Sequence, residues 1–329
     1  MPRSDQSQSM SPERRTAAPH PGQEHYTAPL SETPLKDVDA FDDTSTPRSM
    51  WRQAAHSLLR DPVFIVSAIL IAFILFVVAF PGVFTSQDPT AGSLANANQD
   101  PSGEHPFGTS RQGYDIFSRV IHGTRTSVIV GFFTMIGSTL IGAAIGALAG
   151  YVGGWVDEIV SRVVDVFFAI PLILGAIVIG ARFQGIDSIW VVILVLSVFG
   201  WTNIARITRG AVIGVKSQEF VMASTALGAG RFSNLMRHVL PNALAPIIVT
   251  ATVNLGVFIV AEATLSFLGV GLPPTVVSWG GDISTARTSL TTHPMQLMYP
   301  SIGLAVTVLS FIMLGDAVRD ALDPKAKKR

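Results

Sequence analysis

Apolar positions along the chain gather into long uninterrupted runs instead of alternating with polar ones. Residues 63–84 contain no Asp, Glu, Lys or Arg. At ~1.5 Å per residue, about twenty such residues cross the ~30 Å hydrocarbon core of a bilayer. This run therefore predicts a membrane-spanning helix. Five more runs do the same, at 126–150, 159–180, 189–207, 243–268 and 300–314. A single run of this kind could be a buried helix of a soluble domain. Six in one chain make an all-α polytopic membrane protein the expected fold class.

Between the runs the chain is uneven. Residues 1–60 are rich in Ser, Pro, Thr, Asp and Gln, too polar to offset their ordering entropy by burial. They are expected to form a disordered cytoplasmic tail. The first span then occupies 61–84, an extracytoplasmic loop 85–123, the membrane domain 124–320 and a short basic tail 321–329. Within the membrane domain, the one long inner loop is 208–242.

Orientation follows from the basic residues. With six crossings and the N-terminus inside, 18 of the 23 Lys and Arg residues fall on the inner side. Five fall outside: Arg111, Arg119, Arg125, Arg182 and Arg287. Both termini are thus expected in the cytoplasm, with lipid around the spans. The formal net charge of zero argues against nucleic acid as a partner. The chain has no cysteine, which excludes disulfides and thiolate chemistry.

Polar residues inside the runs are costly and worth naming. Asp165 follows Arg162 by three positions, the spacing of an intrahelical ion pair. Asn254 and Glu262, eight apart, share one helix face; they either line a polar pathway or bond to neighbouring helices. These three are the candidate pathway residues. Ser138, Gly142, Gly146 and Gly150 fall on one stripe, whose small residues let another helix approach closely.

Catalytic and metal patterns are missing from the sequence. It holds no phosphate-binding Gly-rich loop with a following Lys, no HExxH and no GxSxG. An intramembrane enzyme using Asp165 and Glu262 would need the two carboxylates together. The assigned topology puts them near opposite membrane faces.

The stretch EFVMASTALGAGRFSNLMRHVLPN, residues 219–242, breaks the apolar pattern on the inner side. A short helical pattern runs to Gly228-Ala229-Gly230. A basic helical pattern follows and ends in Leu240-Pro241. Gly228 suits a positive φ at the end of the first helix, and Pro241 suits the start of the next span.

This stretch resembles the cytoplasmic signature of permease subunits in bacterial ABC importers for dipeptides and oligopeptides. The resemblance is closest to the second of the two permeases and runs from about Ser57 to Pro324. It is also carried by HPFGTSRQGYDIFSRVIHGTRTS (105–127), AGYVGGWVDEIVSRVVDVFFAIP (149–171), AEATLSFLGVGLPP (261–274), SWGGDI (278–283) and LGDAVRDALDP (314–324). The signature's Glu-Ala-Ala is here Met222-Ala223-Ser224, with Glu219 nearly one turn earlier. The usual acidic outer pattern is Ser110-Arg111-Gln112-Gly113-Tyr114-Asp115.

The resemblance implies a type I ABC importer fold. It also implies a second homologous permease, two cytoplasmic ATPase subunits and an extracytoplasmic peptide-binding protein. The chain itself would bind no cofactor; ATP and Mg would sit on the ATPases. Glu219, Met222, Ala223, Ser224, Ala226, Leu227, Gly228, Arg231, Leu240 and Pro241 would form the ATPase-coupling element. Related permeases also carry nickel chelates or glutathione-like peptides.

Overall fold

The computed structural model describes residues 55–322, apart from 184, 185 and 187. The expectations for 1–54 and 323–329 lie outside the described residues. Residues 55–58, within the segment 1–60 expected to be disordered, are helical.

Helix α1 (Pro62–Ala79) opens on Asp61, whose carboxylate accepts the Val63 N–H at 2.8 Å. Pro62 occupies the first helical turn, where its missing N–H costs nothing. Helix α2 (Ile116–Val152) is 37 residues long and is capped by Asp115, which accepts the Ser118 N–H at 2.6 Å. It starts ten residues before the predicted run. The polar turns from Ile116 to Arg125 continue the same helix beyond the apolar segment. At ~1.5 Å per residue, 37 residues exceed the hydrocarbon thickness.

The run at 159–180 is where the structure departs from a simple span. It forms two helices, α3 (Gly154–Ala169) and α4 (Leu172–Arg182), bent by 84°. The cause is Pro171, which offers no N–H and pushes its predecessor out of helical geometry. Ile170 accordingly sits at φ −89°, ψ 116°. Helix α5 (Ile189–Lys216) follows, then a short helix α6 (Glu219–Ala226). A continuous helix α7 (Arg231–Phe267), an outer short helix α8 (Trp279–Ala286) and α9 (Met295–Leu322) complete the chain.

Helix direction decides whether the bent pair crosses the membrane. Gly142, Gly146 and Gly150 of α2 meet Trp201, Ala205 and Arg209 of α5 in that order. The two helices are therefore parallel. Both run from the outside inward, so α3 and α4 together must carry the chain back across. The broken pair is one span, and the crossings number six among the described residues. Between α7 and α9 the order reverses: Gly256 meets Val308, while Gly315 meets Val253. They are antiparallel, and the last span returns to the inner side.

The α2–α5 seam is the closest in the bundle. A Cβ added at Gly150 would lie 2.8 Å from the Arg209 carbonyl, and one at Gly142 only 2.9 Å from the Ile204 Cβ. At Gly142, Gly146 and Gly150 of the small-residue stripe, an added Cβ would run into α5. Elsewhere the core divides by depth. Val130, Ala176, Leu196 and Leu265 pack toward the outer side. Leu255, Ile259, Trp279 and Phe311 form a second cluster. Ala147, Val212, Val221, Val239 and Ala243 form a third at the inner end. Phe73, Leu140, Val178 and Leu194 remain exposed on the spans, as a lipid-facing surface requires.

The outer side is closed by a cap built from residues 80–115 and α8. His105 Nδ1 lies 2.9 Å from Asp115 Oδ2. Phe107 stacks on Tyr299 with ring centroids 4.0 Å apart. Gln296 Nε2 donates to Asn98 Oδ1 at 3.0 Å and to the Thr109 carbonyl at 2.9 Å. Trp279 is 2% exposed and donates its indole N–H to the Val120 carbonyl at 3.0 Å.

Candidate coupling helix and pathway residues

Helix α6 projects from the inner end of the bundle. Its one buried residue, Val221, packs into the inner cluster beside Val212, Val239 and Ala243. The remaining face is open. Phe220, Met222, Ala223, Ala226, Leu227 and Phe232 are all exposed, Leu227 to 90%. Glu219 and Arg231 are exposed at the two ends of this face. Glu219 and Arg231 thus bracket an exposed and mainly apolar face.

The end of α6 is built from backbone bonds. The Gly228 N–H donates to the Thr225 carbonyl at 3.0 Å, and the Ala229 N–H to the Ser224 carbonyl at 3.1 Å. Gly228 sits at φ +88°, the positive value anticipated from the sequence. This pair of bonds, with a left-handed residue between helix and exit, is a Schellman stop. It turns the chain sharply into the first residues of α7.

A side chain that sequence reasoning missed holds the two helices together. Asn234, 1% exposed, accepts from Ser224 Oγ at 2.7 Å and donates its Nδ2 to Thr225 Oγ1 at 2.9 Å. The one available signal was an amide in a short basic helix following a Ser-Thr pair. Ser224 therefore points inward as part of this clamp, while Ala223 points out.

Pro241 sits in the first turn of the regular α-helical stretch Leu240–Phe267, where it was expected, although the helix is continuous back to Arg231. Just before it, residues Leu235–Val239 widen into a π-helical turn, and the Leu240 N–H bonds to the Leu235 carbonyl. A widened turn lets the helix continue past a residue that has no N–H to give. Leu240 packs on the inner cluster, and Pro241 is exposed.

The inner ends of α2, α3 and α5 are locked by charge. Arg209 donates from Nη2 to Asp157 Oδ2 at 2.6 Å, and its Nε reaches Oδ1 of the same carboxylate. Lys216 donates to the Tyr151 carbonyl. Asp165 does not pair with Arg162 as the spacing suggested. Its Oδ1 lies 3.8 Å from Arg206 Nη2 on α5. Arg206 is held there by stacking over the Phe168 ring, 4.1 Å from its centroid.

Asn254 and Glu262 are both buried on α7, yet they meet different surroundings. Asn254 lines a cavity of about 490 Å³ with Asn203, Thr250, Asp316 and Arg319. Glu262 is 0% exposed, inside the bundle, and its Oε1 accepts from Ser266 Oγ at 2.8 Å. Of the alternatives open for Glu262, bonding within the protein is what the structure displays. The three pathway candidates are not brought together. Among the described residues no group of three or more His, Asp or Glu side chains could hold a metal ion.

Residues 142–328 match the family described as binding-protein-dependent transport system inner membrane component. Residues 49–101 match the N-terminal TM domain of oligopeptide transport permease C. The chain is 37% identical to the dipeptide transport system permease protein DppC of Alkalihalophilus pseudofirmus, over 90% of this chain and 96% of that one. It is 36% identical to the oligopeptide transport system permease protein OppC of Bacillus subtilis, over 85% and 91%. The glutathione transport system permease protein GsiD of Pectobacterium atrosepticum is 35% identical, over 85% and 93%. Among solved structures, an inward-facing form of the MetNI methionine ABC transporter superposes with a TM-score of 0.53 at 20% identity, covering 62% of this chain and 96% of that one. That last likeness speaks for the fold alone. Six crossings and a family match over more than half of the chain agree: this protein belongs to the binding-protein-dependent transport system inner membrane components, the permease subunits of ABC importers.

Proposed function

We propose that this chain is one of two permeases in an ATP-driven importer of dipeptides or oligopeptides. The observation that carries the reading is the clamped helix α6, with its apolar face exposed at the inner end of the bundle. An apolar face held rigidly to two spanning helices can convey a partner's movement into the membrane. Two cytoplasmic ATPase subunits, which bind ATP and Mg, are the partners for that face. A second homologous permease completes the pathway, and an extracytoplasmic binding protein delivers the peptide. Similarity to dipeptide and oligopeptide permeases over most of the chain supports the substrate class.

The inner cavity supplies a wall for the inward-facing stage. Asn203, Asn254, Asp316 and Arg319 offer amides and both charges, the groups that a zwitterionic peptide backbone meets in water. ATP binding can shift the permease only if α6 meets the ATPases differently in the two states.

The test is purification of the tagged chain from its own membrane. Two ATPase polypeptides should accompany it. Proteoliposomes of the complex should take up labelled trialanine only with ATP inside and binding protein outside. A chain that purifies alone, or a complex that imports nickel chelates and no peptide, overturns the reading.

A further inference from the structure

The segment after α7 is tied to its helix in two ways. The first is a Schellman stop like the one at α6. Gly269, at φ +79°, donates its N–H to the Ser266 carbonyl at 3.1 Å, and Val270 donates to the Leu265 carbonyl at 3.0 Å. The second is a side-chain relay. Ser266 Oγ donates to Glu262 Oε1 at 2.8 Å and accepts the Leu272 N–H at 3.0 Å. Pro273 and Pro274 follow and have no N–H to contribute.

The same segment borders two outer cavities, meeting the second through Pro274. Gly269 to Pro274 line a cavity of about 240 Å³ with Ala176, Phe183 and Val195. Pro274 also lines a polar cavity of about 230 Å³ that holds Arg111, Arg119 and Asp282. A cavity against a short turn gives it somewhere to move.

We propose that Glu262 is a positioning residue of an outer gate. By fixing the direction of the Ser266 hydroxyl, it holds the turn 268–274 in its closed place between the two cavities. A serine hydroxyl has one proton and can rotate. With Glu262 as acceptor, the proton is committed and a lone pair faces the Leu272 N–H. Without that acceptor, the hydroxyl turns to the helix carbonyls and the Leu272 bond is no longer enforced. Glutamine keeps an acceptor oxygen and leucine does not. The proposal rests on the importer reading above.

The chain has no cysteine, so one introduced thiol reports one place. Thr275, exposed just beyond the turn, is the reporter site. The Thr275→Cys complex with its own ATPases is alkylated with a membrane-impermeant maleimide, without nucleotide and with ATP trapped. The rate should differ several-fold between the two states. Glu262→Leu should bring the two rates together and lower trialanine uptake by roughly tenfold, the size of one lost buried hydrogen bond. Glu262→Gln should retain most of both. Ser266→Ala, a minimal change, should reproduce the leucine variant, and the double variant should be no worse. A state-dependent rate that persists in Ser266→Ala overturns the proposal, as does a glutamine variant as defective as the leucine one. Failure of the importer reading would instead show as absent uptake in the unmodified complex, with alkylation still readable.

Discussion

Arg119 and Asp282 close the outer cap across 163 residues of sequence: the guanidinium Nε donates to the Asp282 carboxylate at 2.7 Å. Its Nη1 donates to the Pro89 carbonyl at 2.9 Å, so one side chain joins the outer loop, α2 and α8. Both side chains are largely enclosed, at 16% and 12% exposure. Removing one partner of an enclosed pair strands the other charge, which typically costs ~3–5 kcal/mol. Arg119→Leu and Asp282→Leu should each lower the thermal midpoint of the detergent-solubilised complex. The double variant should recover part of the loss. Strict additivity of the two losses would count against a direct interaction.

Asn234 should matter to coupling more than to insertion. Asn234→Ala removes its bonds to the Ser224 and Thr225 hydroxyls, an expected cost of ~0.5–1.5 kcal/mol each, since both hydroxyls reach water and Thr225 keeps its bond to the Val221 carbonyl. The spanning helices do not depend on this clamp, so membrane yield should be unchanged. ATPase subunits should co-purify less well, and uptake should fall. Quantitative co-purification against membrane yield separates the two effects.

Gly228 is held at φ +88°, and nothing lies within 4 Å of where its Cβ would be. The obstacle to substitution is thus backbone conformation and not crowding. Gly228→Val should lose ~1–2 kcal/mol or more from the helix stop. Gly228→Asn should lose less, since Asn tolerates the left-handed region. Equal behaviour of the two variants in ATPase association would point to another cause.

Ala223→Cys should cross-link to a suitably placed cysteine in the ATPase surface, with a yield that changes when ATP is trapped. The matching control belongs on the outer side. Ser289 is unsuitable there, because it is 4% exposed. Thr291 is exposed and should give no product. A product at Thr291 instead of Ala223 would invert the topology.

Gly146→Leu should disrupt the bundle itself. Its added atoms would enter the Ala205 backbone of a parallel neighbour. Overpacking of this kind costs ~1–3 kcal/mol even where neighbours can shift, and a helix backbone shifts little. Folded yield and the thermal midpoint are the readouts. A fully stable Gly146→Leu protein would mean that the α2–α5 seam is looser than described.

What the sequence determined by itself was set by composition and by local geometry. Spans show themselves because a bilayer demands about twenty apolar residues whatever surrounds them. The small-residue stripe on α2 was legible because helix spacing places every fourth residue on one face. Gly228 announced its left-handed backbone because that preference belongs to the residue alone. The order of motifs along the chain was enough to identify the family.

What only the tertiary structure decided concerns partners brought together from afar. Pro171 is visible in the sequence, yet only the parallel packing of α2 and α5 makes the bent α3–α4 pair a single crossing. Asp165 met Arg206 on another helix instead of Arg162 on its own, since Phe168 holds that guanidinium in place. Asn254 and Glu262 share a helix but not an environment: one lines a cavity and the other is sealed in the bundle. Asn234 carries only a faint local signature, because a buried amide acquires its role from the two hydroxyls that folding places beside it. Helix period fixes which residues share a face; only packing fixes what that face meets.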